Sequence, residues 1–290
     1  MSGTAKAKFV AVALPVLLLV AQVHGTAAAE TSPVSGLAAK THIHGLAVDR
    51  SDPSYLFIAT HHGLYRAGPD GNSVLVSEVQ DFMGFNPHPS EAGRLFASGH
   101  PASGGNLGFI ASEDGGKTWS QISPGLDGPV DFHQMTVSPA DPNRVYGAYG
   151  DLQASSDGGK TWTSAGPAPE KLIDLSASTK TPDIVYAATE GGLSVSLDGG
   201  KSWKTVLGGA PVTLVEATAG GIFAFVYGKG LMHASEGVFT WTTLSADWGE
   251  DYLLHLAVDA SAPERLYAAT GHSQVLQSTD GGKTWGAFGQ

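Results

Sequence analysis

The sequence predicts an all-β chain closed into a six-bladed β-propeller of four-stranded antiparallel blades, and three observations predict it. The first is an octapeptide, Ser-x-Asp-x-Gly-x-Thr/Ser-Trp, found at Ser112 to Trp119, Ser155 to Trp162, Ser196 to Trp203 and Ser278 to Trp285, with a worn copy ending at Thr240-Trp241. The second is its period: tryptophan spacings of 43, 41 and 82 residues, the last containing Trp241, make a repeat of about 40. The third is a constant offset from one strand to the next. Val48 to Leu56, Pro87 to Leu95, Val137 to Val145, Ala177 to Val185 and Val258 to Leu266 are each eight residues apart.

The octapeptide reads as a hairpin turn. Its Asp accepts from backbone N–H groups of its own loop, its glycines supply positive φ, and its Trp starts the next strand. The indole is then placed to fill the wedge between neighbouring sheets. On this reading Asp114, Asp157, Asp198 and Asp280 are staples, and Trp119, Trp162, Trp203 and Trp285 are wedges.

Each repeat lays out as an inner strand, a turn, a second strand, a third strand, the octapeptide turn and an outer strand, with β-branched and aromatic enrichment supporting each assignment. Blade 1 starts at His42-Ile43-His44-Gly45-Leu46 and continues through Leu56 to Thr60, its octapeptide degenerate; blade 2 starts at Asp81-Phe82-Met83-Gly84-Phe85, with Leu95 to Ser98 next. Blade 3 starts at Asp131-Phe132-His133-Gln134-Met135 and blade 4 near Leu172. Blade 5 uses Val212 to Val215 and Ile222 to Phe225, and blade 6 uses Leu253 to Leu256 and Leu266 to Thr270. A seventh blade would need another repeat, and only residues 30–40, read as a spacer, remain; the propeller is expected over 41–290.

The octapeptide resembles the Asp-box, or BNR, repeat of the sialidase and sortilin-like propellers, and the resemblance covers almost the whole chain after its leader. In that superfamily the Asp-boxes are structural turns, which implies the fold and leaves the chemistry open. The opening His42-Ile43-His44-Gly45 and the stretch Asp131-Phe132-His133-Gln134-Met135 are similar to exported bacterial propellers described as glycosyl hydrolase-like, a description resting on fold analogy.

Lys6 and Lys8 precede an apolar run from Phe9 to Val20, and Ala27-Ala28-Ala29 offers a cleavage site. Residues 1–29 therefore read as a secretory signal peptide, and the protein is expected to be periplasmic or extracellular; kept uncleaved, the segment would be an anchor. The chain has no cysteine, so disulfides, a lipid-modified cysteine and thiolate metal sites are excluded. Its net charge of −11 argues against nucleic acid and anionic lipid as partners. A monomer is expected.

Antiparallel connectivity sorts the loops of a blade onto two faces. Octapeptide turns mark the bottom; inner-strand starts and the turns between second and third strands mark the top. His42, His44 and His133 fall on inner-strand starts, and His61, His62, His100 and His272 on the second-to-third turns. Counted from the strand-two anchors, His44, Met83 and His133 share one position in three successive blades, and His42, Asp81 and Asp131 share another, two residues nearer the top. Blades 4, 5 and 6 place Ile173, Val212 and Leu254 at the first of these positions.

Imidazole with thioether and no thiolate suggests a soft or borderline transition ion. Copper is the first choice, Met favouring Cu(I) and imidazole Cu(II), with zinc through His and Asp as the alternative. The expected ligands are His42, His44, Met83, His133, Met135, Asp81 and Asp131, with His61, His62, His100 and His272 as a lid or outer layer.

A sialidase-like site would need an arginine cluster for the sugar carboxylate. The only arginines are Arg50, Arg66, Arg94, Arg144 and Arg265, assigned to bottom turns, strand-two starts or the end of a third strand, so that carry-over fails. A general glycosidase needs two carboxylates flanking one bond, for which Asp81 and Asp131 are the best pair and Asp174, Glu190 and Glu216 further candidates. A scaffold similar to the BNR-type photosystem assembly factors would grip a protein partner on the same face. The sequence reading is a non-enzymatic binding protein, possible catalysis by Asp81 and Asp131 being the alternative.

Overall fold

The turns dictate the architecture. In the computed structural model, which describes residues 1–4 and 31–290, Asp157 Oδ1 accepts from the backbone N–H of Lys160 and Thr161 at 3.1 and 2.9 Å, and Oδ2 from the Thr161 hydroxyl at 2.6 Å. The Ser155 hydroxyl donates to Oδ1 at 2.8 Å and accepts from Gly159 N at 2.9 Å. These bonds favour the ionised form and hold Asp114, Asp157 and Asp198 down to about 2, with Asp280 lower still. Gly159, at φ 82°, admits no Cβ, which would lie 2.1 Å from the Phe109 ring. Trp162 then packs on Phe109 and Phe132, its indole N–H donating to Gly159 O and Ser123 Oγ.

Four blades carry this turn, and with the two whose copies are worn they make six antiparallel sheets around the axis. The inner strands are Ile43–Val48, Asp81–Pro87, Gln134–Val137, Leu172–Ala177, Val212–Thr218 and Leu253–Val258. Each lies against the next, and the sixth lies against the first. Side chains one residue above the inner-strand ends latch neighbours together: Asn86 Nδ2 donates to Met135 O, Ala177 N to Thr136 Oγ1, and Ala217 N to Ser176 Oγ. Apolar clusters form between blades rather than within them, as where Phe96 and Phe109 of blade 2 meet Phe132 and Val145 of blade 3. This is the six-bladed, four-stranded propeller the sequence predicts.

Four local features differ from the sequence reading. Of the expected spacer 30–40, the described residues 31–40 are structured: Thr31–Pro33 pairs with the outer strand Asn72–Leu75 as a fifth strand of blade 1, and Val34 and Leu37 are 3% and 1% exposed beneath it. Blade 3's inner strand begins at Gln134, leaving Asp131 to His133 as irregular backbone above it. Blade 5 makes a tight first turn, with Thr218 paired to Gly221, so its equivalent of His44 is Thr213 rather than Val212. The inner strands of blades 1, 2, 4, 5 and 6 each carry a β-bulge near the top, which sequence alternation could not show. The expected leader after residue 4, with its cleavage site and His24, lies outside the described residues.

Among the described residues, blade 6 is built wholly from Leu253–Ala287, with no strand contributed from another part of the chain. Closure instead uses Ile43 N donating to Ser273 Oγ at 3.1 Å, and Phe288 packing with Val34, Leu37 and Ile43.

Candidate functional site at the top of the axis

Inner strands that splay from a common axis leave a channel, and here it widens into two cavities. The upper, of about 590 Å³, is lined by His42, His44, His61, Met83, His133 and Met135 among others. The lower, of about 310 Å³, runs past Arg50, Glu216 and Asp259 towards the bottom face. Phe85, Met135, Asp174 and His255 line both and form the neck between them. Asp114, Asp157, Asp198 and Asp280 line neither.

At the top, two triads of possible ligands assemble, each across a blade boundary. His44 and His61 of blade 1 meet Asp81 of blade 2, and His100 of blade 2 meets Asp131 and His133 of blade 3; within each triad the donor atoms all lie within 4.8 Å of one another. His61 Nδ1 is 2.9 Å from Asp81 Oδ2, and the His61 ring lies 4.1 Å from that of His44. Asp131 Oδ2 is shared by His100 Nε2 at 3.0 Å and His133 Nε2 at 2.7 Å. The expected single convergence is therefore split in two. His61 and His100, read as a lid, are within bonding reach of the carboxylates themselves.

The local chain explains the geometry. His44 is the bulged residue between Ile43 and Gly45, and so sits out of the ladder. Asp131 and His133 sit on irregular backbone, free of strand alternation, and both reach the same side. Burial, with the imidazoles of His61, His255, His133 and His42 around it, lowers His44 to about 3 and keeps it neutral with a free lone pair. The hydrogen bond to Asp131 raises His133. Three buried atoms of these triads have no hydrogen-bond partner: His44 Nε2, Asp81 Oδ1 and Asp131 Oδ1.

The other expected ligands are placed differently. His42 is exposed on the cavity rim, 5.8 Å from the His61 ring. Met83 is 6% exposed and lines the cavity without joining an apolar cluster, whereas Met135 packs in the cluster of Phe132 and Trp162. His62 is exposed outside the cavity lining, and His272 turns to Asp251 of its own blade at 3.1 Å.

Sequence reasoning named Asp174 and Glu216 only as further carboxylate candidates and missed the neck that Asp174 forms with His255. Asp174 Oδ2 accepts from Val215 N and Oδ1 from Leu175 N, each at 2.9 Å, tying blade 4 to the inner strand of blade 5. Burial outweighs those bonds and pushes Asp174 up to about 7; burial with the Asp174 charge pushes Glu216 up to about 8. His255 is lowered by burial to about 4. A signal was present: Asp174 and His255 each stand three residues before their inner-strand ends, immediately after the bulged position.

No family model and no curated protein matches the chain. Solved structures match its fold. A GH74 enzyme from Niastella koreensis is 15% identical, with TM-score 0.57, over 85% of this chain and 45% of that one. YCF48 from Cyanidioschyzon merolae is 17% identical, with TM-score 0.53, over 86% of this chain and 85% of that one. The extracellular domain of a putative hybrid two component system from B. thetaiotaomicron is 12% identical, with TM-score 0.58, over 89% and 34%. The chain spans 36 to 46% of the length of the GH74 structures it matches. At these identities the likeness is one of fold. Among the described residues, no helix is long and apolar enough to cross a membrane.

Proposed function

We propose that this chain is an exported, non-enzymatic binding protein that holds a transition-metal ion at the top of the propeller axis, copper first and zinc as the alternative. The observation that carries the reading is the set of buried, unpartnered donor atoms, His44 Nε2, Asp81 Oδ1 and Asp131 Oδ1, in the two His/Asp triads. Leaving such atoms without a partner costs on the order of 1–3 kcal/mol each, a cost a bound cation removes. Two imidazoles and a carboxylate form a borderline nitrogen and oxygen set suited to Cu(II) or Zn(II), and the nearby Met83 thioether favours copper. His44 is already neutral, the form that ligates. Export rests on the leader, and the absence of cysteine leaves His, Asp and Met as the available ligands.

Metal analysis of the purified protein tests the reading. After dialysis the chain should retain copper or zinc at one equivalent or more, with less retained by His44→Ala; a metal-free protein that takes up neither ion on titration would overturn it. Glycoside hydrolysis is disfavoured because Asp81 and Asp131 stand in separate triads, each already bonded to imidazole rather than free to flank one bond together.

A further inference from the structure

Resting on that reading, we infer that the top face carries two metal sites, one shared by blades 1 and 2 and one by blades 2 and 3, with the Met83 thioether between them as a ligand open to either. The inference comes from the pseudo-symmetry of the ring. His61 and His100 are each five residues after the start of strand two, at Leu56 and Leu95. Asp81 and Asp131 are each six residues before the inner-strand end, at Pro87 and Val137. Both triads are thus one device repeated: an imidazole at the top end of strand two of one blade, paired with a carboxylate at the top of the inner strand of the next.

The third donor breaks the repeat. It comes from the position four residues before the inner-strand end, which is His44 in blade 1, Met83 in blade 2 and His133 in blade 3. In the first triad this donor belongs to the earlier of the two blades, and in the second to the later. Blade 2 belongs to both pairs, so Met83 stands on the side of each triad that the third imidazole does not occupy. Its burial at 6% exposure, in the same lining as His44, His61 and His133 and apart from the apolar clusters, is what a thioether facing two sites requires.

Each triad contributes its own mark of a ligand. Asp131 is 6% exposed with Oδ1 buried and unpartnered, and the same holds for Oδ1 of Asp81 in the first triad. The two sites are not equal. His61 and His100 are alike, at 43% and 41% side-chain exposure, but the His44 nitrogen is buried whereas the His133 side chain is 54% exposed, so the second site opens to solvent through His133 and exchanges its ion faster. Thioether sulfur prefers Cu(I), while His and Asp serve Zn(II) without it. The pair therefore discriminates: both sites accept zinc through imidazole and carboxylate, and Met83 strengthens monovalent copper alone.

The experiment is equilibrium dialysis of the chelator-treated full chain against Zn²⁺ and, separately under reducing conditions, against Cu⁺. The expected result is two zinc equivalents for the wild type and one each for His61→Ala and His100→Ala, whose side chains are exposed enough to leave folding intact by circular dichroism. Met83→Leu should keep both zinc equivalents and bind Cu⁺ at least about tenfold more weakly, the loss of one ligand's contribution. Saturation of the wild type at a single equivalent would overturn the two-site inference while leaving the metal-binding reading standing. So would loss of all zinc in His100→Ala, or equal weakening of Zn²⁺ and Cu⁺ in Met83→Leu. Failure to bind either ion would overturn both.

Discussion

His61 Nδ1 and Asp81 Oδ2 lie 2.9 Å apart across the boundary between the first two blades, and the pair repeats one blade later as His100 and Asp131 at 3.0 Å. With side-chain exposures of 43% and 15%, the first pair is worth little to stability, about 0–1 kcal/mol for an accessible ion pair. Asp81→Asn should therefore leave the melting temperature nearly unchanged while weakening zinc retention about tenfold or more. Parallel thermal melts and metal titrations separate the two effects. A large drop in melting temperature with unchanged metal affinity would mark the pair as structural.

The neck of the channel should make stability depend on pH. Asp174 and Glu216 titrate from ordinary values of 3.8 and 4.5 in the unfolded chain to about 7 and 8 in the fold. Raised carboxyl values mean that the folded state binds more protons than the unfolded one. Stability therefore falls as pH rises between those limits. Glu216→Gln should flatten this fall and be more stable than wild type at pH 8, read from urea midpoints over a pH series. An unchanged slope would mean that Glu216 ionises freely into channel water.

Trp162 is 7% exposed and spans the apolar seam between blades 2 and 3. Trp162→Ala should cost about 3–5 kcal/mol in chemical denaturation. Trp203, whose buried indole nitrogen has no partner, forgoes the hydrogen bonds that Trp162 makes to Gly159 and Ser123. Its own truncation should cost less.

The segment ahead of blade 1 contributes to the core. Leu37, 1% exposed, should cost about 2–5 kcal/mol as Leu37→Ala, measured by the same denaturation. A solvated spacer would give almost none.

Hydrolysis offers a direct comparison of function. Aryl glycosides should be left intact by the purified protein, with no difference between wild type and Asp131→Asn. Turnover that disappears in Asp131→Asn would assign the top face to sugar chemistry.

Much of the architecture was legible because the octapeptide is largely local: Ser155, Asp157, Gly159, Thr161 and Trp162 bond one another within eight residues. The sorting of imidazoles onto one face followed from antiparallel connectivity. What sequence could not show depends on departures from regular pairing. The bulge at His44 and the irregular backbone at Asp131 to His133 decide which imidazole meets which carboxylate, and both are set by packing between blades. His61 and His100 were read as outlying because their matching offsets from strand two place them at the top without showing that they reach across to the carboxylate of the next blade. Thr31–Pro33 escaped because a three-residue edge strand has too little alternation to register.

Because Gly71 is bonded to Val34 N and touches Gly289, the head and tail of the described chain meet on the outer rim of one sheet. A short linker from Gln290 to Thr31 would make the ring covalently continuous, so new termini cut in a loop such as that before Asp81 or Leu253 should still yield a folded permutant. The order in which the blades are synthesised would then matter little to the shape they reach.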